Sequence, residues 1–291
     1  MVMPYSLLPD DPSPTEALRR IARSELGDAL KMVRATEASS LVHSLRKNIK
    51  KTRGLLRLVQ PNFEGFSAAN AALRDAAAGI SGLRDAEVMR LTLAELLAAR
   101  HDPAGAAAAQ AMLEALPPFA HAAPDHAAIA TFAEAITAQR EAAARWQVSG
   151  KGWKAYAPGL HKSFAQGRKL MAEARSSGSD EVMHRWRSRV KHHWYHARLM
   201  APIWPEMLEA HSAAADTLGE LLGTHHDLSV LRAAIPAHLP EGPAAALDQL
   251  ARAAQQARAE AAFALGARLY AETPEALTDR WGAWFELWRR G

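Results

Sequence analysis

The chain has 291 residues, of which 49% are hydrophobic and 23% charged, with no cysteine and a net charge of +4. This length allows one large core or two similar halves, and the lack of cysteine excludes disulfides and thiolate metal sites. The N-terminal residues lack a signal-peptide pattern, and no uncharged stretch is apolar enough to predict a membrane span. We therefore expect a cytoplasmic protein that does not enter a membrane.

The small net charge hides a strong segregation of sign. Residues 38–63, 142–172 and 182–205 carry six, six and five Lys or Arg residues and no Asp or Glu, so the rest of the chain is net acidic. A uniformly basic protein suggests loose surface binding. Positive charge that is concentrated in a few segments of an otherwise acidic chain indicates a localised anion-binding site instead.

The first half of the chain is predicted to be a series of helices. Ser13, Pro14 and Glu16 form a capping box with proline at the first helical position, so we expect a helix to begin there. In chain order, the predicted helices begin at Pro14, cover about 38–59, run from about 67 past 84–85, and cover about 103–116 and 125–147. Gly79 and Gly82 favour a kink in the third helix, and Asp125 is expected to cap the fifth.

The second predicted helix carries a narrow row of positive side chains. We call this row the first ladder: His43, Arg46, Lys50, Arg53 and Arg57. At about 100° per residue the five side chains share a stripe about 80° wide, beside the apolar face of the same helix. Lys47 adds charge on one flank, and no acid occurs between Glu37 and Glu64. Because a row of one sign repels itself, we expect an anionic ligand to offset the repulsion.

The second half of the chain echoes the first, and the segment 148–152 is the predicted joint between a half at 1–148 and a half at 149–291. Its predicted helices begin near 158 and 180, cover about 206–222 and 243–271, and begin again at Pro274. No run of alternating β-branched residues predicts a strand. The predicted fold is all-α, with two antiparallel bundles related by a pseudo-two-fold axis.

The cationic spacing recurs in this half at a constant offset of 141 residues. We call the repeat the second ladder: His184, Arg187, Lys191 and Arg198. Trp194 stands where the repeat would place the counterpart of Arg53. The pair Arg84–Asp85 is likewise paralleled by His226–Asp227, at an offset of 142.

These doubled motifs resemble the CHAD family, the conserved histidine α-helical domain, whose hallmark is a His-x2-Arg-x3-Lys/Arg-x2-Arg helix present twice. The resemblance covers nearly the whole chain and is weakest around 101–147. It implies two four-helix bundles that face each other across a basic cavity. It also implies binding of inorganic polyphosphate and, in bacteria, association with polyphosphate granules. Trp194 and His226 depart from the family pattern, which predicts a weaker second half-site.

We predict polyphosphate-binding residues on both ladders and beside them: His43, Arg46, Lys47, Lys50, Arg53, Arg57, Arg19, Arg20, Arg84, His161, Lys162, Arg168, His184, Arg187, Lys191, Arg198 and His226. Asp85 and Asp227 are expected to orient ladder cations through ion pairs. We predict no catalytic residue, no metal ligand and no cofactor, and expect a protein that is not an enzyme. Phosphate or sulfate ions would be further ligands of such a site, and the oligomeric state is left open.

Several alternatives remain at this point. A solvated basic face would explain the ladders without a ligand, and His43 and His184 would then be structural histidines. If a polyanion lies beside them, we expect it to favour their charged form and to strengthen binding at mildly acidic pH.

Other functions are weighed on particular motifs. A nucleic-acid or nucleotide-phosphate binder is less favoured, because the first ladder has no interleaved aromatic residue. A metal-dependent polyphosphate phosphohydrolase would use the His226–Asp227 pair, but the chain has no Walker A loop and no carboxylate cluster in its basic windows. His192, His193 and His196 have a spacing that metals use, yet a histidine-rich surface is the simpler interpretation.

Overall fold

A computed structural model of the chain describes residues 5–35, 41–80, 85–98, 102–116 and 126–290, with the side chains of 85–87 excepted. Within these ranges all regular structure is helical, which confirms the predicted all-α class. The α-helices are α1 (Pro14–Ala35), α2 (Leu41–Val59), α3 (Phe66–Gly79), α4 (Asp85–Ala98), α5 (Pro103–Ala115), α6 (His126–Ala143), α7 (Ala157–Ser177), α8 (Asp180–Met200), α9 (Pro205–His238), α10 (Glu241–Leu269) and α11 (Pro274–Trp288). Short 3-10 helices cover Gln60–Asn62, Gly152–Ala155 and Ala201–Ile203.

Side-chain caps fix the start of several helices. The Ser13 hydroxyl accepts a hydrogen bond from the Glu16 backbone N–H at 3.2 Å, as the capping box predicts. Ser179 caps α8 and Thr273 caps α11 in the same way. These helix starts follow from local chemistry, because each cap satisfies a backbone donor that the first helical turn leaves without a partner.

Two helices differ in extent from the prediction. The predicted third helix is divided, since α3 ends at Gly79 and α4 begins at Asp85. The helix predicted over 206–222 instead continues to His238, through Gly223 and Pro236. Its added turns bury leucine and isoleucine side chains, and this tertiary packing outweighs the low helix propensity of the glycine.

The apolar side chains form two clusters. The larger cluster runs from Tyr5 to Phe285 and joins residues of both predicted halves. The smaller cluster packs α4 and α5 against α9 and α10, with Leu93, Met112 and Leu231 among its members. The predicted boundary at 148–149 stays a prediction, and the contacts of α4 and α5 cross it.

The two ladder helices, α2 and α8, cross at very short range. A Cβ atom on Gly54 would lie 2.7 Å from the Cβ of Tyr195, so only glycine allows this approach. One residue further along α8, His196 Nε2 donates to the Gly54 carbonyl oxygen at 3.2 Å. The neighbouring helix α7 also approaches α2 closely, because a Cβ on Gly159 would lie 1.8 Å from the Leu58 carbonyl oxygen. These contacts position the ladder cations relative to one another.

No α-helix among the described residues combines the length and the apolarity needed to cross a membrane.

Candidate functional site

The first ladder lies on α2 beside the face that packs into the core. Leu45, Ile49 and Leu56 are buried on that adjoining face. His43 and Lys50 are exposed, whereas Arg46, Arg53 and Arg57 are half-buried. Arg53 and Arg57, at the C-terminal end of the ladder, lie against side chains of α3.

Two arginines at that end of α2 meet an arginine and a histidine of α8. We call this group the arginine cluster: Arg53, Arg57, Arg189 and His192. Burial, followed by the charges of Arg53 and Arg189, lowers the pKa of Arg57 to about 10. Burial also holds the pKa of His192 well below its usual range, with further contributions from Arg57 and Arg189. The cluster thus concentrates positive charge at the cost of mutual repulsion.

The contacts of the α2 arginines in this cluster are with neutral groups. Arg53 Nε donates to Asn70 Oδ1 at 3.0 Å, and the Arg57 guanidinium lies 5.8 Å from the centre of the Phe66 ring. Arg57 Nε is buried and has no hydrogen-bond partner among the described residues. The charge of Asp75 reaches Arg53, but this carboxylate is itself bonded to Arg74 at 2.8 Å. An incoming anion would satisfy the remaining guanidinium donors.

Lys191 of the second ladder, in contrast, is paired with acids of α9. Lys191 Nζ donates to Asp216 Oδ1 at 3.0 Å and to Glu220 Oε1 at 2.9 Å. Burial would raise the pKa of Glu220, but the hydrogen bond from Lys191 and the charges of Lys191, Arg187 and Lys50 lower it overall. Lys50 belongs to the first ladder, so the two ladders approach each other at Glu220.

Trp194 also holds cations of the second ladder. Lys191 Nζ lies 4.1 Å and Arg198 Cζ 5.0 Å from the centre of the Trp194 ring. Cations over an indole face gain electrostatic stabilisation. The tryptophan that replaces a ladder cation therefore orients its two cationic neighbours.

The histidines that begin the ladders lie in different surroundings. His184 lies with its ring 4.2 Å from that of His226. Burial, and then the charges of His226 and Arg187, lower the pKa of His184. His43 is exposed on the first turn of α2.

Several predicted binding residues have other partners. Arg19 donates to the Trp146 carbonyl oxygen at 2.9 Å and to Glu16 at 2.7 Å, near the start of α1. Arg20 forms two hydrogen bonds to Asp11, at 2.8 and 2.7 Å, and His161 lies 2.8 Å from a Glu275 oxygen. A carboxylate thus engages each of these side chains, and their contribution to anion binding stays a prediction.

The remaining predicted residues are surface positions or lie outside the described residues. Lys47 is exposed on α2, and Lys162 and Arg168 are exposed on α7. Arg84 and the side chain of Asp85 are outside the described residues. Asp227 is half-buried on α9 beside His226, and its orienting role stays a prediction.

Sequence reasoning missed two members of the arginine cluster, Arg189 and His192. On α8 they lie about 140° and 80° around the helix from His184, away from the second ladder. The repeat also gave no reason to select Arg189, because its counterpart is Asn48, a buried side chain that bonds the Glu25 carbonyl oxygen. The sequence feature that could have indicated Arg189 and His192 is that they lie in residues 182–205, which contain no Asp or Glu.

The interpretation of the histidine group as surface is wrong for two of its three members. His193 and His196 are fully buried, and His193 Nε2 lies 2.7 Å from Nε2 of His211. Burial lowers the pKa of His196 to about 3 and that of His211 to about 4. In the part of the chain that the structure describes, no group of three or more His, Asp or Glu side chains is placed to hold a metal ion.

The fold and the site define an all-helical protein whose cations converge where two long helices cross. The chain belongs to the CHAD domain family, whose model matches residues 15–236. Among solved structures it is similar to PptA from Streptomyces chartreusis, with a TM-score of 0.57 and 16% sequence identity over 88% of this chain and 96% of that chain. At this identity the likeness shows the fold alone. No curated protein matches the chain.

Proposed function

We propose that this protein binds inorganic polyphosphate, without turning it over, in a basic groove that contains the arginine cluster. The observation that carries the proposal is what Arg53 and Arg57 contact: Arg53 donates to an amide oxygen and Arg57 lies over an aromatic ring. Among the described residues, neither forms an ion pair with an acid. Half-buried cations in such surroundings repel each other until an anion binds.

Polyphosphate suits this arrangement chemically. It carries about one negative charge per phosphate and offers no bases to read, so a binder needs an extended row of cations and little else. Arginine supplies planar forks for phosphate oxygens, and lysine supplies a mobile point charge. The ladder of α2 offers both, and membership of the CHAD family supports the same ligand.

The finer architecture is part of this proposal. We infer two four-helix bundles related by a pseudo-two-fold axis, with the ladders lining a basic cavity between them. The approach of Lys50 to the Glu220 region, where Arg187 and Lys191 lie, supports this convergence. A protein with such a groove would associate with polyphosphate granules in the cell.

Binding is favoured over catalysis because of the state of the acids beside the ladders. Phosphoryl transfer normally uses a metal ion held by carboxylates. Asp216 and Glu220 are both engaged by Lys191 instead.

A nucleic-acid ligand is the second candidate, and one observation favours it. Trp194 is an aromatic side chain among ladder cations, as in grooves that stack bases. The first ladder has no such residue, and Trp194 is engaged by Lys191 and Arg198.

A competition assay tests the proposal. Labelled long-chain polyphosphate is bound to the protein at physiological salt and displaced with unlabelled polyphosphate, single-stranded RNA or single-stranded DNA. Polyphosphate should be the strongest competitor, and Arg53→Ala with Arg57→Ala should weaken its binding about 10- to 100-fold. The double variant Arg258→Ala with Arg268→Ala, which removes two exposed arginines of α10, is the matched control. Stronger competition by RNA would refute the proposal.

A further inference from the structure

One carboxylate, that of Glu220, lies where cations from both ladders meet. Its Oε1 accepts a hydrogen bond from Lys191 Nζ at 2.9 Å, and the charges of Arg187 and Lys50 also act on it. Lys191 and Arg187 come from α8 and Lys50 from α2, so three cations of two helices surround an acid of a third. A phosphate group of a bound chain would seek the same surroundings.

Two glycines of α9 allow the cations of α8 to lie close to the α9 backbone. A Cβ on Gly219 would lie 2.5 Å from Cδ of Lys191, and a Cβ on Gly223 would lie 3.2 Å from Nε of Arg187. Both side chains therefore lie flat against α9 over glycines. Arg187 Nε is buried there and has no hydrogen-bond partner among the described residues. This is a fitted arrangement and not a chance pair of surface charges.

The carboxylate itself remains free to leave. The side chain of Glu220 is 71% exposed, whereas that of Lys191 is 20% exposed. An exposed ion pair of this kind contributes little to stability, so exchanging one anion for another at the lysine costs little. Asp216 stays within 3.0 Å of Lys191 and can hold the lysine in place during the exchange.

We propose that Glu220 is an internal competitor of polyphosphate, whose carboxylate occupies the position of one phosphate until the ligand displaces it. This inference rests on the proposed function. A phosphate group therefore replaces the Glu220 carboxylate beside Lys191, Arg187 and Lys50 only when the rest of the ligand is already bound at another point, such as the arginine cluster. A long chain can meet this condition, because its phosphates are linked.

The test compares Glu220→Gln with Glu209→Gln. Both variants remove one exposed acid of α9 and change the net charge equally, but only Glu220 is bonded to a ladder cation. Binding of long-chain polyphosphate is measured by titration calorimetry at several salt concentrations. Glu220→Gln should lower Kd about three- to tenfold at low salt, and Glu209→Gln should leave it within about twofold.

The salt dependence supplies a second readout. In the wild type Lys191 is already neutralised by acids, so its contact with phosphate releases few counterions. With glutamine at 220, more counterions gather on the cations and are released on binding, so the plot of log Kd against log salt should become steeper by about one unit.

The outcomes separate this inference from the proposed function. If the wild type does not bind polyphosphate, the proposed function fails. If the wild type binds and Glu220→Gln has the same Kd and salt slope, only the competitor role of Glu220 is refuted. An equal gain in Glu209→Gln would also refute it, because the effect would then be one of net charge.

Discussion

Gly54 of α2 and Tyr195 of α8 are in direct contact where the two ladder helices cross, with a separation of 2.7 Å between the tyrosine Cβ and the position of a Cβ on the glycine. This contact sets how far the cations of α2 lie from those of α8. A larger residue at Gly54 would therefore change both the packing of the helices and the spacing of the cations.

Substitution Gly54→Ala should destabilise the protein and weaken anion binding. The added methyl group cannot fit without moving the helices apart, which costs about 1–3 kcal/mol. Urea denaturation measures the stability loss, and the polyphosphate Kd measures the change at the site. Gly242→Ala in α10 is the control, because nothing lies within 4 Å of its added Cβ. Unchanged stability in Gly54→Ala would contradict the close crossing.

The two ladders should contribute unequally to binding. Arg53→Ala with Arg57→Ala removes cations whose bonds are to neutral groups, whereas Arg187→Ala with Lys191→Ala removes cations that already lie beside acids. We expect the first pair to cost about tenfold more in Kd, since its charges are more available to a ligand. Circular dichroism checks that both variants keep their helices. Equal losses would refute the asymmetry.

Polyphosphate affinity should rise as pH falls from 8 to 6. Burial, and then neighbouring basic side chains, lower the pKa of His184 and of His192, which favours the neutral form of both rings in the free protein. A bound polyanion favours the charged ring and raises each pKa, so binding takes up protons and strengthens at lower pH.

Titrations of the wild type, of His192→Gln, and of His43→Ala with His184→Ala test this linkage. Each substitution should flatten the pH dependence. A response that is equal in all three proteins would show that these histidines do not take up the proton.

Acid should destabilise the fold through its buried histidines. The pKa of His196 is lowered to about 3 and that of His211 to about 4, both below the value of about 6.5 expected in the unfolded chain. Their stabilising contribution is complete above pH 6.5. It falls by about 1.4 kcal/mol per pH unit for each ring as pH drops towards the folded pKa.

Urea denaturation at pH 7 and pH 5 measures this loss. The variant His211→Gln should show a smaller loss between the two pH values than the wild type does. An identical loss in both proteins would exclude His211 as a source of the acid sensitivity.

Local patterns in the sequence predicted the parts of the structure that depend on neighbouring residues. Ser13 and Thr273 mark helix starts because a cap acts within one turn. The ladder of α2 is likewise visible, because helical spacing alone places its members on one face.

Long-range packing decided the rest. Arg189 and His192 join Arg53 and Arg57 only because α2 and α8 cross at Gly54, and neither helix alone carries that information. The burial of His193 depends on contacts with Phe164 and Trp281, which lie far away in the chain. Glu220 lies on α9 and Lys191 on α8, so no spacing within one helix predicts their ion pair.

The length of α9 has a consequence for the molecule as a whole. Leu218 and Leu222 of this helix belong to the larger apolar cluster, and Leu228 and Leu231 belong to the smaller one. A single α-helix thus contributes to both clusters. We therefore expect that a cut in the chain inside α9 would disrupt both clusters together, and that the two would lose their structure in a single transition.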